Sequence, residues 1–497
     1  MSRGAALLAL TVALVGVVAM PGEFLDGDPN AWREEARSLL VSCELSVPAS
    51  FARGFGEPGQ YFVRNERDGR YYSKYGLMNS LMSLPPLWAE RLAGGDISAV
   101  GTYPSLLAAN LWNLILCVAL ALLLYRLGGA YTRSGALRAA FVLATLYCSA
   151  LWFYERAQSS EIYQLLLFAA LFLCLREFLA RLEGPRRFQL TARGWLWLAG
   201  AWLCAAALVY TRLAFALLLP VIAALVLYRV ATDRTPGLPR SLPRGLVVAL
   251  VLPPALIVAG LAWIDLVKFG SPWLTGYDQW RVELHRPTWR VVDGLWGFLF
   301  APRFSLFLHY PLLVGALFAA PRFWRRHRID AIAMAALFLP FLLFISALPI
   351  WAGEASYGPR YLLFAVPVLS LPAIAFAEHL VERWRRRAAR AAAVAALACL
   401  AYSAYLQVQV NRLGFLTYYA ARTALEAAYS DAAADYFRDR NVGVISADLL
   451  RHRDNLEALS FFPEFKRRVR PEIVQLYLSG LRSAIDRGNW YWTSPRR

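Results

Sequence analysis

Asp26 and Asp28 stand one residue apart, with Gly27 between them, directly after the first apolar segment of the chain. Two carboxylates at the edge of an apolar medium can take a proton from a hydroxyl or hold a cation, and that edge tunes their basicity. Similar polar islands recur further along. RDGRYYSKYG at residues 67–76 joins an Asp-Gly turn signal to Arg70, Tyr72, Lys74 and Tyr75. WAGEASYGPRY at residues 351–361 places Tyr357 and Arg360 in a loop with two glycines and a proline. Arg212 stands between two apolar stretches, and Glu155 and Glu161 bracket a short polar one. Cations and hydroxyls suit a phosphate, and aromatic faces suit a sugar or a lipid headgroup. The plainer alternative for the tyrosines and Lys74 is an interfacial belt, and for Arg360 a side chain that snorkels to the headgroups. A lone charge such as Arg212 needs a partner or an anionic ligand. His285 and His309 show no ligand spacing and are assigned no metal.

The composition sets the medium in which these groups work. The chain has 497 residues, is 58% hydrophobic and 17% charged, and has a mean hydropathy of +0.42, which places it among polytopic membrane proteins. The net charge of +18 does not point to nucleic acid, because the basic residues gather in short connections between apolar segments. Only Lys74, Lys268 and Lys466 are lysines, against an arginine majority. Of the six cysteines only Cys43 falls in an expected outer loop, so neither a disulfide framework nor a cysteine metal site follows.

About eleven apolar spans of roughly 17–25 residues can be laid out, at 5–20, 103–125, 136–152, 162–178, 194–209, 213–228, 245–267, 305–320, 331–350, 361–377 and 388–406. The first also fits a signal peptide, but residues 18–20 offer no clean cleavage site, so it is expected to stay as an anchor. Alternate connections at 126–138, 181–193, 229–244, 322–328 and 382–390 hold 20 arginines, so the positive-inside rule puts them and the N-terminus in the cytoplasm. The expected location is the inner membrane, with the acid pair and a helical tail at 407–497 on its outer face. The fold class is thus an all-α polytopic membrane protein. Residues 1–406 form the membrane domain, in which 21–102 is a first outer loop. Within that loop, 31–43 and 77–92 are expected as interfacial helices, the second interrupted at Pro85-Pro86.

Four stretches in this order resemble the C-type glycosyltransferase superfamily, in the branch of the protein O-mannosyltransferases and the lipid A aminoarabinose transferase. They are the acids and amphipathic helix at 26–40, RDGRYYSKYGLMNSLMSLP at 67–85, FGSPWLTGY at 269–277 with APRFSLFLHYP at 301–311, and WAGEASYGPRYL at 351–362. The resemblance implies a donor sugar on a polyprenyl phosphate, an acceptor that is protein, lipid or glycan, and an acid of the first outer loop as base, which Asp26 or Asp28 matches. Many members keep adjacent acids, whereas Gly27 separates them here. Lys74 and Arg360 match the basic residues that contact the carrier phosphate, and Glu161 matches an acid of the second outer loop. Arg70, Tyr72, Tyr75, Arg212 and Tyr357 complete the expected substrate-binding set. No metal is assigned; if a divalent cation takes part, Asp26, Asp28 and Glu161 are its carboxylates.

The chemistry such a site needs is simple. A sugar phosphate carries its own anionic leaving group, so a base for the acceptor proton and cations for the developing charge suffice, and direct displacement inverts the anomeric carbon. No glycine-rich phosphate loop follows a predicted strand. A lipid-linked glycan flippase or a polysaccharide polymerase is the other reading of the same composition. A flippase would place its charges within spans instead of loops.

Overall fold

The computed structural model describes residues 2–22, 28–55, 59–95, 97, 103–182, 191–232, 243–279, 285–289, 291–301, 304–351, 353 and 357–412. The first span is α1 (Arg3–Val18), and the first outer loop folds as α2 (Asp28–Ser42), α3 (Ala49–Gly54), a small hairpin of β1 (Phe62–Arg64) and β2 (Tyr71–Ser73), and α4 (Leu77–Leu92). The bundle continues with α5 (Tyr103–Gly128), α6 (Gly135–Tyr147), α7 (Leu151–Arg156), α8 (Glu161–Leu179), α9 (Ala192–Val209), α10 (Leu218–Thr232) and α11 (Arg244–Phe269). It closes with α12 (Val291–Phe300), α13 (Leu306–His309), α14 (Leu312–Arg326), α15 (Arg328–Ser346), α16 (Val366–Leu369), α17 (Pro372–Glu382) and α18 (Arg387–Arg412).

Each of the eleven expected spans is mostly helical, but they are not eleven equal rods. Among the described residues six helices are long and apolar enough to cross a membrane: α5, α9, Leu213–Thr232, α11, α15 and α18. A seventh is bent by 43° where Arg360–Leu369 meets Pro372–Glu382. The others fall short for visible reasons. α8 has the length but carries Glu161, Arg176 and Glu177. The 305–320 segment breaks between α13 and α14 beside Pro311, and the 136–152 segment breaks between α6 and α7. A proline lacks the N–H that an uninterrupted helix needs.

The bundle has an inside and a lipid side. Thirteen of the nineteen residues of α8 are buried, so this helix is the axis, and α9 packs along it. Only seven of the twenty-six residues of α11 are buried, and Val251, Leu252 and Leu256 face outward from it, as a peripheral membrane helix requires.

The arginine-rich connections share one end of the bundle. Arg126 and Arg181 both lie over the Trp197 ring, at 5.5 and 5.9 Å. Arg229 Nε donates to Leu179 O at 3.4 Å, and Arg176 pairs with Asp330 at 3.1 Å. α18 finishes at the other end, where Arg156 donates to the carbonyl of Asn411 at 2.6 Å and to that of Ala19. The 413–497 part of the expected tail lies outside the described residues.

The two expected interfacial helices are present with different surroundings. α2 does not lie as an open amphipathic rod, because Arg33, Glu34 and Glu35 are all buried. It is tucked against α4 and β2, and its charges are paired: Arg33 with Glu90 at 2.7 Å, Glu35 with Lys268 at 2.8 Å, and Glu34 with Arg37. α4 runs through Pro85 and Pro86 without a break, held by α2 on one side and α5 on another.

Candidate active site

Four chain breaks meet at the end of the bundle opposite the arginine-rich connections. Glu161 is the first residue of α8, and Asp28 is the first of α2. Arg212 sits in extended backbone (φ −147°, ψ 129°) between α9 and the 3-10 turn Leu213–Leu217. Arg360 opens the 3-10 segment Arg360–Ala365, just after Gly358, whose φ of 66° is one that a side chain would resist.

The four side chains form one chain of contacts. Glu161 Oε1 accepts from Arg360 Nε at 2.7 Å and from Arg212 Nη2 at 2.8 Å. Arg360 Nη2 reaches Asp28 Oδ2 at 3.3 Å, and the Tyr75 hydroxyl donates to Asp28 Oδ1. Arg212 also lies over the Tyr361 ring at 5.3 Å. Lys74 stands beside this chain among three rings, 5.3 Å from Tyr75, 5.5 Å from Tyr277 and 6.0 Å from Tyr61. Among the described residues two carboxylates thus stand beside three cations, in a setting where charge is poorly screened.

The site rests on a second set of buried contacts. Lys268 Nζ pairs with Glu35 Oε1 at 2.8 Å and donates to Tyr75 O at 2.8 Å, while the Ser80 hydroxyl donates to Glu35. This fixes the backbone of Tyr75, and through it the hydroxyl on Asp28. Asn79 ties the start of α4 to the Arg212 break: Nδ2 donates to Gly76 O and Thr211 O, each at 3.1 Å, and Oδ1 accepts from the Tyr163 hydroxyl. The two segments approach so closely that a Cβ on Gly76 would lie 2.2 Å from Tyr210 O.

Burial pushes the Glu35 carboxyl up from its ordinary value, and Lys268 pulls it back. Lys268→Met is therefore expected to cost about 3–5 kcal/mol by leaving a buried acid without its cation. Glu35→Gln added to it should recover at least 1 kcal/mol of that, about the size of a contacting-pair coupling. Thermal unfolding of the three variants in one detergent checks this, and simple additivity would contradict the pairing.

Other expected site residues lie elsewhere. Arg70 is half exposed and pairs with Glu44 at 3.1 Å, and the Tyr72 hydroxyl donates to Asp68 at 2.7 Å. The first ties the β1–β2 hairpin turn to the segment after α2, and the second lies within the hairpin. Tyr357 acts as a brace: its carbonyl accepts from the Tyr154 hydroxyl at 2.8 Å, and its own hydroxyl accepts from Gln407 at 3.1 Å. It thereby anchors the loop that presents Arg360. Of the two loop glutamates, Glu161 joins the site, whereas the Glu155 backbone carbonyl accepts from Asn113 on α5 at 3.2 Å. Asp26 lies outside the described residues.

Of the three carboxylates named for a divalent cation, Asp28 and Glu161 are described and Asp26 is not. The Arg360 guanidinium spans Asp28 and Glu161, and among the described residues no three His, Cys, Asp or Glu are grouped to hold one. Lys268, Glu35, Asn79, Gly76 and Tyr277 are the residues that sequence reasoning missed. The rarity of lysine in this chain was the available signal for Lys268.

The helical bundle, with its chain breaks gathered at one end, defines an all-α polytopic membrane protein. Its fold is similar to that of solved structures. The chain is similar to the archaeal oligosaccharyltransferase AglB from Archaeoglobus fulgidus in complex with an inhibitory peptide and a dolichol-phosphate (TM-score 0.52, 13% identity, 82% of this chain and 55% of that one). The apo form of the Archaeoglobus fulgidus enzyme matches with a TM-score of 0.53 and 13% identity over 82% of this chain and 56% of that one. ArnT from Cupriavidus metallidurans, bound to undecaprenyl phosphate, has a TM-score of 0.49 and 14% identity over 96% of this chain and 76% of its own. This chain spans little more than half the length of the archaeal enzyme. No protein-family profile matches it, and no curated protein is similar to it in sequence.

Proposed function

We propose that this chain is a membrane glycosyltransferase that moves a sugar from a polyprenyl-phosphate carrier to an acceptor on the outer face of the inner membrane. The observation that carries the proposal is the set of Arg212, Arg360 and Lys74 around Asp28 and Glu161, in a fold shared with a protein solved with a dolichol-phosphate. The arginine-rich connections gathered at the other end support the outer face.

The geometry suggests an order of events. Arg360 holds Glu161 at 2.7 Å but Asp28 at 3.3 Å, so an arriving phosphate competes first for the Asp28 side of the guanidinium. That exchange seats the phosphate between Arg360 and Lys74 and releases Asp28 to accept a hydrogen bond from the acceptor hydroxyl. The acceptor oxygen then bonds to the anomeric carbon as the bond from that carbon to the phosphate oxygen breaks. The bonding pair leaves on the phosphate, and the acceptor proton passes to Asp28, or to Asp26 if that is the base. Negative charge grows on the phosphate during the step, so the cations favour the transition state over the bound donor. The anomeric configuration inverts. The sugar is a hexose or a pentose, and the acceptor a protein, lipid or glycan.

Binding of a polyprenyl phosphate without sugar tests the phosphate seat apart from the chemistry. Arg360→Met and Lys74→Met are each expected to weaken it at least about thirtyfold, the low end for removing one partner of a desolvated charge pair. Affinities equal to the unsubstituted protein in both variants would place the phosphate elsewhere.

A further inference from the structure

A second cluster of cations lies at the arginine-rich end, far from the site. Arg176 follows Glu161 by fifteen residues on α8, about 22 Å along the helix, and pairs there with Asp330. The Tyr131 hydroxyl donates to the same Asp330 at 3.0 Å, and its ring packs on Phe323 and His327 at 5.2 and 5.1 Å. The end of α14 is thereby fixed at this face.

Between that end and α17 opens a cleft of about 470 Å³, walled by Arg322, Arg325, Arg326 and Arg383 on its polar side and by Phe318 and Phe376 on its apolar side. Arg322 is committed to His379 and to Glu382, the latter at 3.1 Å. Among the described residues Arg325, Arg326 and Arg383 make no ion pair. Phe318 and Phe376 stack with centroids 6.0 Å apart, and Phe318 is 72% exposed on the lipid side. The orientation rule accounts for arginines in this connection. It does not require three arginines that make no ion pair among the described residues, Arg325 donating to Pro321 O at 3.3 Å, to converge on a cleft whose other wall is a ring pair facing lipid.

We infer that this cleft is a binding site for the phosphate headgroup of an anionic phospholipid, whose acyl chains lie along Phe318 and Phe376. Basic pockets between membrane helices take such headgroups because each cation near the charged surface adds to the attraction. A cleft at the membrane surface meets anionic lipid at high local concentration, which favours a lipid over a soluble phosphate compound. The site is independent of the transfer reaction and would stand if that function failed.

The test uses the full chain in phosphatidylcholine nanodiscs, titrated with fluorescent phosphatidylglycerol. Arg325→Gln, Arg326→Gln and Arg383→Gln combined should weaken association about a hundredfold, at roughly fivefold per arginine. Arg383→Gln alone, on a residue just beyond α17, should lose about fivefold, and it serves if the triple variant does not fold. Unchanged association in that single variant, or equal affinity for phosphatidylcholine, would overturn the inference. So would stabilisation by millimolar inorganic phosphate together with indifference to phosphatidylglycerol, which would assign the cleft to a soluble anion.

Discussion

Asp28→Asn is expected to lower transfer from a polyprenyl-phosphate sugar by about 10²- to 10⁴-fold, the range for losing a positioned general base. The substitution keeps the size of the side chain and one acceptor oxygen for Arg360, while the new amide donates to the Tyr75 hydroxyl in place of accepting from it. Asp28 is 23% exposed and its contact with Arg360 is long, at 3.3 Å, so the stability lost with its charge should stay below about 1 kcal/mol. A large fall in rate with an unchanged melting temperature therefore diagnoses chemistry. Asp26→Asn belongs beside it, because the sequence offers two carboxylates one residue apart. If only Asp26→Asn abolishes transfer, the base is Asp26, and Asp28 serves to hold Arg360. Full activity in the double variant would remove the base from this loop altogether.

Glu161→Gln is expected to act on stability, by about 3–5 kcal/mol. Glu161 is almost fully buried and one of its oxygens serves two guanidinium groups, at 2.7 and 2.8 Å. A neutral amide removes the counter-charge that Arg360 and Arg212 share, leaving Asp28 beside Arg360 at 3.3 Å. Arg212→Gln made on top of Glu161→Gln should cost less than it does in the parent chain, with a coupling of about 1–3 kcal/mol. Unfolding of the four proteins of that cycle in one lipid composition measures it. Strict additivity would contradict the shared-oxygen geometry.

Much of the architecture was legible because a bilayer reads sequence in a simple way. A long apolar segment must become a helix to satisfy its backbone, and each of the eleven segments is mostly helical. Their continuity was not legible. The break at Tyr210 to Arg212 was visible as a polar interruption, whereas the bend after Leu369 depends on how Pro372 is packed. The environment of α2 was misjudged for a related reason. Its mixed pattern of Trp32, Arg33, Glu34 and Glu35 looks interfacial in isolation, but Glu90 and Lys268, distant in sequence, neutralise the charges and let the helix be buried.

The site shows the same division. Asp28, Lys74, Tyr75, Glu161, Arg212 and Arg360 stood out as chemically able residues in or beside apolar surroundings, and the fold gathers them. Arg70 and Tyr72 carried the same signal from the same stretch. Asn65 N–H donates to Arg70 O at 2.9 Å and Gly69 N–H to Asn65 O at 2.8 Å, a local turn that commits both side chains to Glu44 and Asp68. The pairings themselves span up to 332 positions, from Asp28 to Arg360, and no local pattern encodes them.

Transfer itself is the most direct test. Membranes carrying the full chain, supplied with a panel of radiolabelled polyprenyl-phosphate hexoses and pentoses and a mixed envelope acceptor fraction, are expected to move label from at least one donor to acceptor. The double variant Asp26→Asn, Asp28→Asn should abolish that transfer. Label that moves from no donor, or that moves equally well in the double variant, would contradict the account.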